Sequence, residues 1–189
     1  MSAQRKYKFS WDTVIGDMRT ARPSLGPTTR VEIYRLFQFT LRDVLEQHYG
    51  TEMADKLFRE AGVMAGAAFY QQFCTGASNI NELVKILQDC FKTMGIGVLR
   101  LEQSNPDDRK FTLTVDEDLD CSGLPDTNDI ICVYDEGFIK GILQSFTGKG
   151  FTVREIDCWC TGGRTCRFAA EADQGLVSNN SFAPSPRPR

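Results

Sequence analysis

The sequence predicts a single α+β domain, in which a helical N-terminal half packs on an antiparallel sheet. Apolar residues recur at helical spacing through residues 29–94, and the pattern changes to strand-like alternation from residue 96 onward. One further helix is expected among the strands, and this order of elements is typical of helices packed on an antiparallel sheet. A chain of 189 residues fits one domain whose core needs no disulfide bonds.

Three helices are predicted in the first half. The first covers residues 29–49, and Gly50 follows at the usual position of a left-handed cap. A second helix is expected over residues 51–73, with Thr51 as its N-cap, and a third over residues 79–94. The middle of the second helix is rich in Ala and Gly. Small residues permit close approach of a neighbouring backbone or leave space for a ligand, and we favour close packing.

The second half is predicted to form the sheet. Alternating apolar and polar residues indicate a hairpin, then a helix, then two more strands, over residues 96–103, 111–115, 135–147, 151–157 and 165–169.

An acidic segment, residues 116–129, connects the hairpin to the helix. Its alternating aspartates suggest an EF-hand, but Cys121 stands where that motif needs glycine and Thr127 where it needs glutamate. We therefore expect an ordinary solvated loop.

The domain is expected to cover residues 29–172. Residues 1–28 form an N-terminal lead-in that ends in a Pro-flanked turn, and residues 173–189 form a Ser-, Asn- and Pro-rich tail that is predicted to be disordered. The basic N-terminus has no apolar segment behind it, and the longest apolar run, residues 63–70, is far shorter than the roughly 20 residues of a membrane span. These features predict a cytoplasmic protein with no membrane span.

Charge and motifs exclude several functions. The net charge is −3 and the pI about 5.3, which disfavours nucleic-acid binding because no basic field is available for phosphates. The sequence contains no Gly-x-Ser-x-Gly elbow, phosphate-binding P-loop or dinucleotide fingerprint. We interpret the single histidine, His48, as a surface or interface residue rather than a haem ligand.

Seven cysteines require an explanation, since four of them fall within residues 132–166. In a reducing compartment a cysteine is a buried hydrophobe, a metal ligand or a nucleophile. Cys158 and Cys166 flank a glycine turn that can bring their sulfurs together, and Cys132 at a helix start can supply a third thiolate. Three sulfurs and one carboxylate form a donor set that suits zinc.

The fourth donor is open on spacing alone. Glu155 lies three residues before Cys158, so the two side chains converge only if the strand bends between them. Cys160 shares a strand face with Cys158 and would give a four-thiolate site. The alternative to any metal site is a set of buried free thiols.

Residues 132–141, 148–158 and 163–168 resemble the 4-vinyl reductase domain family. That family includes the aromatic-sensing input domains of phenol- and xylene-responsive activators, and it is related to the TRAPP vesicle-tethering subunits. The resemblance covers roughly residues 95–170. It implies a zinc site whose ligands are Cys132, Glu155, Cys158 and Cys166, with Cys160 outside the ligand set, and backbone-shape roles for Gly137, Gly141 and Gly163.

The resemblance implies a stand-alone, zinc-stabilised, small-molecule-binding domain of sensor or adaptor type. A zinc ion with four protein ligands has no position for substrate, so the domain is expected to be non-catalytic. We expect a small apolar or aromatic ligand, a homodimer formed through the helical half, and a separate output or assembly partner; ligand-binding residues are not assigned. A second hypothesis is an accessory role in tetrapyrrole 4-vinyl reduction or pigment–protein assembly, and a third is a protein–protein tether.

Overall fold

The computed structural model describes residues 5–105 and 109–173, and its α+β architecture confirms the predicted fold class. Most of the N-terminal half is helical, and four antiparallel strands form one sheet in the order β1-β2-β4-β3. In chain order the elements are α1 (Trp11–Ile15), α2 (Met18–Ala21), α3 (Val31–Tyr49), α4 (Thr51–Phe69), a π-helical turn (Tyr70–Cys74), α5 (Ile80–Met94), β1 (Val98–Asn105), β2 (Lys110–Asp116), α6 (Val133–Thr147), β3 (Phe151–Asp157), a 3₁₀ turn (Trp159–Thr161) and β4 (Cys166–Ala172).

Helix boundaries follow the signals in the sequence. The side chain of Asn79 accepts a hydrogen bond from the backbone N–H of Glu82 at 3.0 Å and caps α5, and Gly95 ends that helix in the left-handed conformation. The second helix differs from expectation at its end, because the chain continues after Phe69 as a π-helical turn. The predicted disordered tail lies, from residue 174 onward, outside the described residues.

The lead-in segment contains α1 and α2, and it packs on the rest of the chain through one aromatic residue. The ring of Trp11 lies edge-on to the rings of Phe69 and Phe73, with centroids 6.5 and 5.3 Å away. Phe69 belongs to the main core, which lies between the sheet and helices α5 and α6. This contact attaches the lead-in to the π-helical turn.

Helices α4 and α6 are held in backbone contact by glycines. A Cβ atom at Gly62 or Gly66 of α4 would overlap carbonyl oxygens of α6, and one at Gly137 or Gly141 would overlap carbonyl oxygens of α4. The small residues of α4 therefore serve close packing, as favoured from the sequence. The contact fixes the position of α6, the helix that begins directly after Cys132.

Helix α3 is the least buried of the long helices, since none of its residues is buried. Its apolar side chains point away from the core: Ile33 is 58% exposed and Phe37 is 68% exposed. The expectation that Leu57 and Met64 of α4 point inward is also wrong, because both are exposed. The core is complete with α5, α6 and the sheet, which leaves α3 packed on α4 and on the loop around Asp120.

Two smaller observations bear on function. His48 is exposed near the end of α3, in agreement with its interpretation as a surface residue. Within the described residues, no helix has both the length and the apolar character that crossing a bilayer requires.

The backbone contact between α4 and α6 predicts a strong effect of one methyl group. Gly137→Ala should lower the free energy of unfolding by about 3 kcal/mol or more, because the added Cβ overlaps the backbone of Arg59, which cannot rotate away. Gly76→Ala is the matched control, since a Cβ there meets nothing within 4 Å. Urea unfolding followed by circular dichroism measures both. A Gly137→Ala protein as stable as the control would contradict the packing.

Candidate metal centre

Four cysteine sulfurs converge at one end of the sheet. The Sγ atoms of Cys121, Cys132, Cys158 and Cys166 all lie within 4.8 Å of one another, and all four residues are buried. The sulfur of Cys132 is 3.9 Å from that of Cys158 and 3.8 Å from that of Cys166. Sulfurs bound to a tetrahedral zinc ion at about 2.3 Å lie about 3.8 Å apart. These four cysteines can therefore hold a metal ion.

Four different parts of the chain supply the sulfurs. Cys158 follows β3 directly, and Cys166 is the first residue of β4, where it pairs with Val115 of β2. Cys132 immediately precedes α6, as expected, so the positive end of the helix dipole favours its ionised form. The turn between Cys158 and Cys166 reverses at Gly162, whose φ is 90°. The predicted glycine turn thus does bring the two sulfurs to the same place.

The loop before α6 supplies Cys121, which the sequence analysis did not select. The predicted solvated loop is wrong in its first part, because Asp118, Asp120 and Cys121 are buried. The carboxylate oxygen Oδ1 of Asp118 accepts hydrogen bonds from the backbone N–H groups of Asp120 at 2.8 Å and Cys121 at 3.2 Å. This local turn directs the Cys121 sulfur to a point 3.0 Å from the sulfur of Cys166.

Glu155 lies at the edge of the sulfur cluster. The register of β3 shifts between Glu155 and Asp157, and this irregularity supplies the bend that Glu155 needs to face the same side as Cys158. Its Oε2 accepts a hydrogen bond from the backbone N–H of Cys132 at 3.1 Å. Its Oε1 is buried without a hydrogen-bond partner among the described residues. Burial, followed by the neighbouring Cys158, raises the pKa of Glu155 to about 9.

Cys160 has a different role from the four clustered cysteines. Its side chain is buried, yet its sulfur does not join the group in which Cys121, Cys132, Cys158 and Cys166 meet. Its backbone carbonyl instead accepts hydrogen bonds from the N–H groups of Thr127 and Asn128, which fastens the preceding loop to the turn. The structure thus assembles a four-sulfur set, with Cys121 in the place that spacing alone allowed for Cys160.

Close contact couples the protonation of the four thiols. Thiols donating to its sulfur, Cys121 first, lower the pKa of Cys158 far below the usual value, whereas the same kind of contact raises the pKa of Cys132. The cluster therefore favours one thiolate that neighbouring S–H groups stabilise. A divalent cation would replace those protons, since thiolates are the forms that bind metal.

Glu136 links the helices to the strand that carries Glu155. Its buried carboxylate accepts hydrogen bonds from the Arg59 guanidinium at 2.7 Å and from the backbone N–H of Glu155 at 2.9 Å. Arg154 lies 3.5 Å from the same carboxylate. Because Glu136 is in α6 and Arg59 in α4, this network holds β3 in register with the helix pair beside the candidate centre.

Fold and site together define a helix-and-sheet domain with a cysteine-lined centre between the sheet and α6. Residues 111–172 match the model of the vinyl-4-reductase domain, a range that runs from β2 to β4 and contains all four clustered cysteines. The match confirms the resemblance to the 4-vinyl reductase domain family.

One relative, the uncharacterized protein MJ1642 of Methanocaldococcus jannaschii, is 28% identical over 101 residues, or 53% of this chain. The matched part covers 60% of the length of that relative.

Solved structures share the fold. A vinyl-4-reductase family protein from Methanocaldococcus jannaschii aligns with a TM-score of 0.59 and 17% identity, over 90% of this chain and all of its own. The phenol-responsive sensory domain of the transcription activator PoxR, with phenol, gives 0.56 and 17%, over 70% and 71% of the two chains. A trafficking protein particle complex subunit 3 from Naegleria fowleri, covalently bound to palmitic acid, gives 0.60 and 15%, over 78% and 98%.

The sulfur cluster predicts a clear difference between two buried cysteines. Cys132→Ser should reduce bound zinc from about one ion per chain to nearly none and lower Tm by about 10 °C or more, because it removes a donor from the centre of the cluster. Cys74→Ser is the matched control, since Cys74 is fully buried but lies outside the cluster. Elemental analysis and thermal unfolding measure the two effects. Equal metal content in both variants would contradict the site.

Proposed function

We propose that the protein is a cytoplasmic, zinc-stabilised and non-catalytic domain that binds a small molecule and signals to a separate partner. The observation that carries the proposal is the convergence of Cys132, Cys158 and Cys166, three of the four ligands implied by the family resemblance, inside the segment that matches the vinyl-4-reductase domain. The shared fold of the PoxR sensory domain supports the sensor-like role.

The proposed metal is zinc, and its role is structural. Thiolates are soft donors that suit zinc and exclude Mg²⁺ and Ca²⁺. Four protein donors would fill a tetrahedral zinc and leave no position for a substrate. The ion would join the loop after β2, the start of α6 and the β3–β4 turn, and so stabilise the part of the chain where three elements end.

Two residues compete for the fourth coordination position. The family resemblance assigns Glu155, and the buried Oε1 atom that has no partner among the described residues supports it. The arrangement of sulfurs favours Cys121, because its sulfur lies with the other three. The proposed set is Cys132, Glu155, Cys158 and Cys166, with Cys121 as the alternative fourth ligand.

Zinc-edge X-ray absorption separates the two sets. Glu155 as ligand predicts three sulfurs at about 2.3 Å and one oxygen at about 2.0 Å, whereas Cys121 predicts four sulfurs. In the first case Glu155→Gln should change the coordination shell and Cys121→Ser should leave it unchanged; in the second case the effects are reversed. A spectrum without zinc–sulfur scattering would contradict both sets.

Small-molecule binding has a direct test. A small aromatic that binds the folded state should raise Tm in proportion to the logarithm of its concentration above Kd. We expect phenols to produce this shift in differential scanning fluorimetry, and free phosphate, which has no apolar surface, to produce none. The absence of any shift across a panel of small apolar and aromatic compounds would contradict the binding function.

The proposed homodimer would use the exposed face of α3. The exposed large apolar residues on this helix are Val31, Ile33, Leu36, Phe37, Leu41, Val44 and Tyr49. A continuous apolar face of this kind marks an interaction surface on a water-exposed domain. A second copy would cover it with a matching helix, and the signal would pass from this pair to the output partner.

A charge on that face should abolish the dimer. Leu36→Glu, at a position that is 63% exposed, should give a monomer in light scattering coupled to size exclusion, since a buried unpaired carboxylate is costly. Asn81→Glu adds the same group at an exposed position on α5 and should leave the dimer intact. A monomeric wild-type protein at high micromolar concentration would contradict the homodimer.

A further inference from the structure

A cleft of about 270 Å³ opens between α3, α4 and the start of α6. Six of its nine lining residues are apolar and three carry polar groups, namely Tyr34, Gln38 and Tyr134. Apolar walls with a few polar groups are typical of small-molecule sites, and this volume is slightly below that of sites for drug-sized ligands. The cleft therefore has room for a compound of one or two rings.

Within the described part of the chain, the main core offers no comparable space. The cavity between α5, α6 and the sheet has a volume of about 20 Å³ and is lined by apolar residues such as Leu87, Phe91 and Ile139. That volume holds about one water molecule. A ring compound would have to displace core side chains to enter there, whereas the cleft at α3 can receive it without such a change.

One polar atom in the cleft lacks a partner among the described residues. Tyr34 Oη and Gln38 Nε2 donate hydrogen bonds to the two carboxylate oxygens of Asp120, each at 2.7 Å. The second bond fixes the Gln38 amide with its nitrogen toward Asp120. Its carbonyl oxygen Oε1 is then buried without a hydrogen-bond partner. A buried acceptor in this state favours a ligand that brings a donor.

The charges around the cleft select against anions. Asp120 lies behind Tyr34 and Gln38, and Asp118 is buried beside it. Arg35 directs its guanidinium to the backbone carbonyls of Leu119 and Ser122. The other arginine near the cleft, Arg42 beside the ring of Phe58, is engaged by Glu46 and Asp55. An added carboxylate in the cleft would therefore meet acidic groups, while both of these arginines are already occupied.

We infer that this cleft is the ligand site of the protein, and that it takes a one- or two-ring apolar compound with one hydroxyl or amino donor, which bonds to Gln38 Oε1. The inference rests on the proposed small-molecule-binding function and adds to it a place and a ligand class. The rings of Phe37, Phe58 and Tyr134 contact the ligand body, and the donor lies at the polar end beside Tyr34.

The probes are three naphthalenes of nearly equal size. 2-Naphthol has the donor, 2-methoxynaphthalene has it blocked, and 2-naphthoate is anionic. Fluorescence titration of the full chain should give binding of 2-naphthol, about tenfold weaker binding of 2-methoxynaphthalene, and the weakest binding of 2-naphthoate. Equal affinity for all three would overturn the assigned ligand class.

Two variants locate the site. Ala61→Phe fills the cleft from α4 and should reduce 2-naphthol affinity at least about tenfold. Glu60→Phe adds the same side chain at an exposed neighbour outside the lining and should leave the affinity unchanged. If Ala61→Phe does not fold, Phe37→Ala removes a mostly exposed ring from the opposite wall and should also weaken binding. Gln38→Leu should remove the preference for 2-naphthol over its methyl ether.

The outcomes separate this inference from the function on which it rests. Binding of 2-naphthol that Ala61→Phe and Phe37→Ala leave unchanged would overturn the location but keep the binding function. No binding of any small aromatic would overturn both. Affinity that increases as the protein is diluted below its dimerisation range would show that a second copy occupies the cleft, and would overturn the inference.

Discussion

The structure depends on four buried sulfurs brought together from segments far apart in the chain. The sulfurs of Cys132 and Cys166 are 3.8 Å apart although 34 positions separate the residues in the sequence. Buried thiols contribute apolar contacts but only weak hydrogen bonds. A cation bound to them would supply the strong and directional interaction that this end of the sheet otherwise lacks.

Helix α6 transmits the position of this centre to the rest of the domain. It begins directly after Cys132, meets α4 through Gly137 and Gly141, and carries Glu136, whose carboxylate holds Arg59 and the backbone of Glu155. A displacement of Cys132 would therefore reach α4, and through α4 the exposed helix α3. This path connects the cysteine centre to the cleft and to the proposed dimer face.

The sequence was sufficient for much of this arrangement. Periodicity predicted the long helices and the strands, and the small residues of α4 indicated its close contact with α6. The glycine turn between Cys158 and Cys166 and the position of Cys132 before a helix were enough to place three sulfurs together.

Other features depended on tertiary contacts that spacing does not encode. Cys121 was missed because its loop is polar in composition, and its burial depends on the turn made by Asp118. Asp118 placed three residues before a cysteine was the available signal. The apolar stripe of α3 was correctly interpreted as a helix, but periodicity gives the face of a helix and not what covers it, so residues such as Phe37 proved to be exposed.

Native mass spectrometry of the protein purified without added metal tests the central claim most directly. The account predicts an intact mass that exceeds the polypeptide by one zinc ion, and loss of that ion by chelation together with loss of the folded charge-state distribution. A folded protein at the metal-free mass, unchanged in stability by chelator, would contradict the claim that a cation joins the four sulfurs.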